Sequence, residues 1–228
     1  MKAGAFVRGS SAPDQKEPMM DAGERTPSLH HATLPGHVEK GQIMGMPMPQ
    51  PITTIEDLLA LPDDGLRHEL LDGDHVVTPA PSPDHQRVVG ALATVIGASL
   101  AEHPDLELFT GPADLRLSRR TLVQPDLCVI PVDPANRFRD WADAPVPLLA
   151  VEVLSPSTAA SDRGSKRRLY RDAGVEEYWI VDIAARVVER WQQGDDRPEI
   201  VDGILDWDLH GASGSVNLPE LFERAVGR

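Results

Sequence analysis

The pattern of apolar and polar positions divides the chain near residue 50. Residues 1–50 show no apolar period and are rich in Gly, Pro, Ser, His and Met, which predicts a disordered N-terminal tail. Residues 51–228 carry the periodic pattern of one folded domain. Thr53 and Glu56 fit a capping box for a short helix through Leu58, Leu59 and Leu61 that stops at Pro62. Leu66 to Val77 alternates around Asp72-Gly73, the signature of a two-residue hairpin turn. Pro79 to Pro83 makes a stiff loop. Ser82 then caps a helix with Pro83 at its first position, and Val88, Leu92, Val95, Ile96 and Leu100 follow at helical spacing. Leu106–Thr110, Ala113–Leu117 and Leu122–Ile130 read as successive strands. Pro131 to Pro145 reads as a loop, with Phe138 and Trp141 on a flap or rim.

The run Leu148 to Leu154 is apolar on both alternating faces, so it predicts a strand buried on both sides, ended by Pro156 and Ser157. A helix opened by Ser161 or Asp162 continues through Ser165–Ala173 and closes at Gly174. Val175–Asp182 and Arg186–Trp191 are further strands, and the remainder predicts one strand and a short terminal helix. Strands alternating with helices make the fold class α/β, a central sheet flanked by helices and preceded by a helix and a β-hairpin.

One residue breaks the apolar run. Glu152 stands in the middle of the buried strand, and a carboxylate there costs several kcal/mol unless it is paired or bound to a cation. Two residues are candidate partners. Asp126 is a second acid at the edge of an apolar run, Val123 to Ile130. Lys166 is the only lysine from Pro51 onward, against sixteen arginines. Lysine supplies a compact ammonium where arginine supplies a planar fork, so a single lysine just after a buried glutamate points to a requirement for the ammonium. Glu69 is a further acid among the leucines of the first hairpin strand, and His85 lies in the first turn of the helix capped by Ser82.

Charge narrows the picture. The formal net charge is -14, from 22 Lys+Arg against 36 Asp+Glu, and the first fifty residues hold five of each sign. The excess therefore belongs to the folded domain. It argues against broad, sequence-blind binding to nucleic acid, while leaving room for a local basic cleft or a metal site. Cys128, the one cysteine, lies in an apolar strand and reads as a small core residue. One cysteine excludes an internal disulfide and suits a reducing compartment. Met1 to Pro13 lacks the apolar segment of a signal peptide, and the longest apolar run, Val88 to Leu100, is too short to span a bilayer. The expectation is a cytoplasmic protein without membrane partners. His30 and His31 could take metal adventitiously, and Met44, Met46 and Met48 allow a downstream start.

Two carboxylates on neighbouring strands can hold a divalent cation through oxygen ligands, and an ammonium beside them can stabilise developing negative charge. Asp126, Glu152 and Lys166 supply these parts. The ordered motifs Pro125-Asp126, Glu152-Val153-Leu154-Ser155-Pro156-Ser157-Thr158, Asp162-Arg163-Gly164-Ser165-Lys166, Tyr170, Gly174-Val175 and Glu177-Tyr178-Trp179 carry a resemblance. With Glu69-Leu70-Leu71-Asp72-Gly73 and Pro81-Ser82-Pro83-Asp84-His85-Gln86, they resemble the Uma-type family of restriction endonucleases. That family is a widespread bacterial domain of unknown function in the PD-(D/E)XK nuclease superfamily. The resemblance covers roughly Thr53 to Trp191.

The resemblance implies a restriction-endonuclease-like mixed sheet and a metal-dependent endonuclease acting on nucleic acid, DNA foremost. It implies that Asp126 and Glu152 bind Mg²⁺ or Mn²⁺, with the Val153 carbonyl completing the coordination and Glu69 as the additional acid. Lys166 would be the catalytic lysine. The superfamily's lysine usually stands two residues after the acid, a place held here by Leu154, whereas the Uma-type pattern puts it on the next helix. His85, Arg163, Arg167 and Tyr170 are the candidate substrate contacts, with Arg168 beside them, and a homodimer is compatible with the superfamily. Two alternatives remain: a catalytically inactive nuclease-fold binding module, favoured by the acidity, and a hydrolase of a small phosphorylated substrate.

Overall fold

The computed structural model describes residues 51–227. The tail, with His30, His31 and the three clustered methionines, lies outside the described residues.

Helix α1 (Ile55–Leu59) begins one residue later than the expected cap, at Thr54 with Asp57. The Asp57 carboxylate accepts from the Thr54 N–H at 3.0 Å and the Thr53 N–H at 3.2 Å. The shift follows burial: Ile55 and Leu58 must both face Leu70 and Leu122 in a small satellite core. Strands β1 (Arg67–Leu71) and β2 (Asp74–Thr78) form the expected hairpin, and Asp72 and Gly73 both take positive φ, as such a turn requires. Helix α2 (Pro83–Ser99) starts at Ser82 as expected.

Strands β3 (Leu106–Thr110), β4 (Leu115–Ser118), β5 (Thr121–Val123) and β6 (Leu127–Pro131) follow. The single strand expected over Leu122–Ile130 is thus two strands. Pro125 has no N–H to give a ladder, so pairing stops at Gln124-Pro125-Asp126 and the chain passes from one sheet to another. Strand β7 (Leu149–Val153) is buried at every position. Then comes one helical run: α3 (Ala159–Ser161), a π-turn over Asp162–Lys166, and α4 (Arg167–Ala173), closed by Gly174 at φ 91°. Strands β8 (Glu177–Asp182), β9 (Val187–Gln192), β10 (Glu199–Val201), β11 (Ile204–Leu209) and β12 (Ala212–Asn217) precede α5 (Leu218–Val226). The C-terminal region therefore holds three strands where one was expected. The missed hairpin turns on His210-Gly211, both at positive φ, with His in the place usually held by Asn or Asp.

The central sheet is mixed, in the order β10-β9-β8-β7-β6-β3, with β7 and β8 parallel across the helical crossover. A second sheet, β2-β1-β5-β4, holds the N-terminal hairpin. Alternation sorts the central strands between two cores. Leu149, Val151, Val153, Trp179 and Val181 join α2 and α5 on one face. Ala150, Tyr178, Ile180, Cys128 and Ile130 meet Tyr170, Leu71 and Leu115 on the other. Glu152 alternates onto this second face, beneath the helical crossover. Phe138 and Trp141 pack on Phe109 and on each other at 5.1–5.7 Å between ring centroids, so the loop read as a flap or rim is anchored to the sheet edge. No helix among the described residues is long and apolar enough to cross a membrane.

Candidate active site

Strand pairing brings the acids together. Leu127 pairs with Val151 in the antiparallel β6–β7 ladder, so one further step along each strand sets Asp126 beside Glu152. The end of the ladder is irregular and fixed by Asp126 itself. Its N–H donates to the Val151 carbonyl at 3.1 Å, and its Oδ2 accepts from the Val153 N–H at 2.8 Å. Gly111 closes against this turn, donating to the Asp126 carbonyl at 2.9 Å; a Cβ there would lie 2.7 Å from the Pro125 carbonyl oxygen.

The second sheet delivers Glu69 and Arg67 from alternate positions of β1. Glu69 Oε1 accepts from the Gln124 N–H at 2.7 Å. Arg67 donates to Asp126 Oδ1 at 3.2 Å and to the Gln124 carbonyl. His85 arrives because Ser82 Oγ accepts its N–H at 3.2 Å and opens α2 there. Its Nε2 lies 3.2 Å from Asp126 Oδ1, yet neither ring nitrogen makes an aligned hydrogen bond.

The helical crossover supplies the ammonium. Asp162, Lys166 and Tyr170 recur every four residues, and all three side chains are buried. Lys166 Nζ sits 2.9 Å from Glu69 Oε1, 3.0 Å from Glu152 Oε1 and 3.7 Å from Asp162 Oδ1. Tyr170 donates to Glu152 Oε1 at 2.9 Å. The π-turn over Asp162–Lys166 is the kind of helix irregularity that often marks a functional segment.

Burial and charge set the protonation tendencies. Burial pushes the Glu152 carboxyl well up, with Lys166 pulling it down and the neighbouring acids raising it further. Burial likewise pushes Asp162 up against the pull of Lys166, and neither Asp162 carboxylate oxygen has a hydrogen-bond partner. Asp126 is buried too, but His85, the Val153 N–H and Arg67 outweigh desolvation and hold it below the usual carboxylate range. Desolvation disfavours the Lys166 ammonium, but Glu152, Glu69 and Asp162 overcome it and raise its pKa.

Arg67, Glu69, His85, Asp126, Glu152, Val153 and Lys166 line one cavity of about 240 Å³. Its rims are the Thr78–Ser82 and Leu154–Thr158 segments, and the Thr78 hydroxyl in its wall has no partner. Four buried carboxylates (Glu69, Asp126, Glu152 and Asp162) face two permanent cations, Arg67 and Lys166. If all four carboxylates ionise, they outnumber these two cations by two; burial, which raises Glu152 and Asp162, opposes that state, and a divalent cation bound there would favour it. The oxygens of Asp126 and Glu152 are the hard donors such an ion takes. Among the described residues no three His, Cys, Asp or Glu side chains form a ready-made ligand cluster. The fit is thus to two carboxylates supplemented by backbone or water, with Glu69 turned onto Lys166 and Gln124.

Three of the expected substrate contacts stand apart. Arg163 bridges Asp182 at 2.8 Å and Glu189 at 2.5 Å. Arg167 lies 4.4 Å over the Trp191 ring. Tyr170 is wholly buried behind Glu152. None of them lines the cavity, because each has a nearer partner, and Arg168 is exposed outside it. Arg67 and Asp162 belong to the cluster without having been singled out. Arg67 shares a strand face with Glu69, and Asp162 precedes Lys166 by one helical turn, so spacing from a named residue was the available signal.

A putative nuclease belonging to DUF820 from Anabaena variabilis has the same fold, with a TM-score of 0.62 at 18% identity over 76% of this chain and 99% of that chain. An uncharacterized protein of Synechocystis sp. is 31% identical over 134 residues, 57% of this chain and 68% of the relative. Another from the same organism is 28% identical over 145 residues, 61% of this chain and 79% of the relative. Residues 55–220 match the Uma2 family model, described as "Putative restriction endonuclease". With most of the domain inside that match, the chain belongs to the Uma2 family.

Proposed function

We propose that the protein is a divalent-metal-dependent endonuclease that hydrolyses phosphodiester bonds in nucleic acid, with DNA as the expected substrate. The observation that carries this reading is the convergence of Asp126, Glu152 and Lys166 in one cavity, from two adjacent strands and the crossover that follows. Asp126 and Glu152 would hold Mg²⁺ or Mn²⁺, with the Val153 carbonyl beside them and Glu69 assisting. Bound there, the cation would supply an acidified water and offset charge on the phosphate. Lys166 is kept charged by three carboxylates, so it serves as a hydrogen-bond donor and electrostatic stabiliser and not as a general base. The Val153 N–H fixes one Asp126 oxygen and leaves Oδ1 to face the cavity contacts. His85, buried at that same oxygen, would steady Asp126 and reach the substrate or its attacking water only through it.

The modest cavity favours one second reading, hydrolysis of a small phosphorylated molecule by the same residues. Titration calorimetry with Mn²⁺ tests the metal site directly. Wild type should take up Mn²⁺, and Asp126→Asn should weaken uptake at least tenfold. Folded wild type that takes up no Mn²⁺ would favour a binding module without catalysis. Turnover of bis(p-nitrophenyl) phosphate without oligonucleotide cleavage would favour the small substrate.

A further inference from the structure

We infer that Arg67 is the substrate's phosphate ligand, released to it when a cation takes Asp126 Oδ1. The inference rests on the metal-dependent reading above and assigns a role to a residue that the resemblance does not mark.

Access comes first. Among the described residues lining the cavity, Arg67 and Lys166 are the only Arg or Lys. Lys166 is 2% exposed and enclosed by three carboxylates, so an incoming phosphate cannot displace them at little cost. The Arg67 side chain is 22% exposed. It also lines a neighbouring cavity of about 350 Å³ with Gln86, Gly90, Thr110, Gly111 and Asp126. Arg67, Pro81 and Asp126 line both hollows, so a phosphate at Arg67 would have a cavity on either side. The arginines expected to bind phosphate line neither hollow: Arg163 stands at Asp182 and Glu189, and Arg167 over Trp191.

Competition for one oxygen comes second. Asp126 Oδ2 is held by the Val153 N–H, while Oδ1 faces Arg67 Nη1 and His85 Nε2, both at 3.2 Å. A divalent ion using Asp126 would compete for Oδ1. Arg67 can yield it and stay placed, because another guanidinium nitrogen holds the Gln124 carbonyl. Nε stays on the Gln124 side-chain oxygen and Nη2 on its carbonyl, so Nη1 is the nitrogen that passes from Asp126 Oδ1 to a phosphate. The ammonium at Lys166 and the guanidinium at Arg67 thus divide the work: one stays in the floor, the other moves to the ligand.

Two readouts test this together: Mn²⁺ calorimetry, and stopped-flow anisotropy of a fluorescein-labelled single-stranded oligonucleotide mixed with Mn²⁺ and read before cleavage. Arg67→Gln should bind Mn²⁺ at least as tightly as wild type, since a competing cation is gone. It should bind the oligonucleotide about tenfold more weakly or worse, with a log K against log salt slope shallower by roughly 0.7–1. Arg67→Lys should keep the slope. In EDTA the slopes of wild type and Arg67→Gln should coincide. If Arg67→Gln does not fold, Arg67→His carries the test, the slope being kept at about pH 6 and lost at about pH 8. An unchanged slope with Mn²⁺, or weaker Mn²⁺ uptake in Arg67→Gln, would reduce Arg67 to a brace of the Gln124–Asp126 turn and overturn the inference alone. Folded wild type that takes up no Mn²⁺ would overturn the metal reading, and this inference with it.

Discussion

Replacing Lys166 by Met separates the ammonium's charge from its bulk. The side chain is almost fully buried and its nitrogen lies within 3.7 Å of Glu69, Glu152 and Asp162. Removing one partner of a buried pair typically costs about 3–5 kcal/mol, and here three acids lose their counter-charge at once. The upper half of that range is expected near pH 8. For a domain of this size, about 3–5 kcal/mol corresponds to a fall in Tm of roughly 6–20 °C. The sign of the pH dependence follows from Glu152 and Asp162, both raised by burial while Lys166 pulls them down. An acid raised in the folded state contributes stability that is full below its unfolded pKa and lost as pH rises through the folded one. Without Lys166 that loss extends further, so the deficit of Lys166→Met should shrink as pH falls from about 8 to about 5. Urea denaturation followed by tryptophan fluorescence at both pH values measures it. Adding Glu152→Gln to the variant should recover part of the loss, because one buried charge is gone. A deficit below about 1 kcal/mol, or one equal at both pH values, would show that the carboxylates do not depend on this ammonium.

Other expectations are simpler. Cys128, buried and with its thiol pushed up to about 12 by desolvation and the charge of Glu152, should resist iodoacetamide in the folded protein and react only on unfolding, as a mass-shift assay would show. Gly111→Ala places a methyl against the Pro125 carbonyl oxygen and should cost about 1–3 kcal/mol in chemical denaturation while disturbing the Asp126 turn. Arg163→Ala breaks only a half-exposed bridge to Asp182 and Glu189. It should change stability by less than about 1 kcal/mol and leave oligonucleotide affinity unaltered in an anisotropy titration.

Much of the central architecture was legible because burial forces alternation. The run through Glu152 could only be a strand covered on both faces, and Asp72-Gly73 could only be a tight turn. The pairing of a buried acid with the single lysine of the domain followed from the cost of an isolated charge. What escaped depended on partners distant in sequence. Glu177 is as buried as Glu152, yet Arg190, Gln192 and the Trp179 indole satisfy it, so a buried carboxylate alone does not mark a site. Arg163 and Arg167 looked available because the acids and the ring that claim them lie on β8 and β9. Gln124-Pro125 ended a strand inside an apolar run, since the missing N–H of one proline outweighs hydrophobic continuity. The His210-Gly211 turn was hidden because His-Gly is not one of the usual hairpin dipeptides, which carry Asn or Asp before the glycine.

The most direct measurement is cleavage of a mixed panel of DNA and RNA with Mn²⁺, with Mg²⁺ and with EDTA, by wild type, Asp126→Asn and Lys166→Met. Cutting by wild type that needs the metal and falls at least a hundredfold in both folded variants is the predicted result. Cutting that survives EDTA, or that persists in Asp126→Asn, would contradict a metal-dependent centre at Asp126 and Glu152.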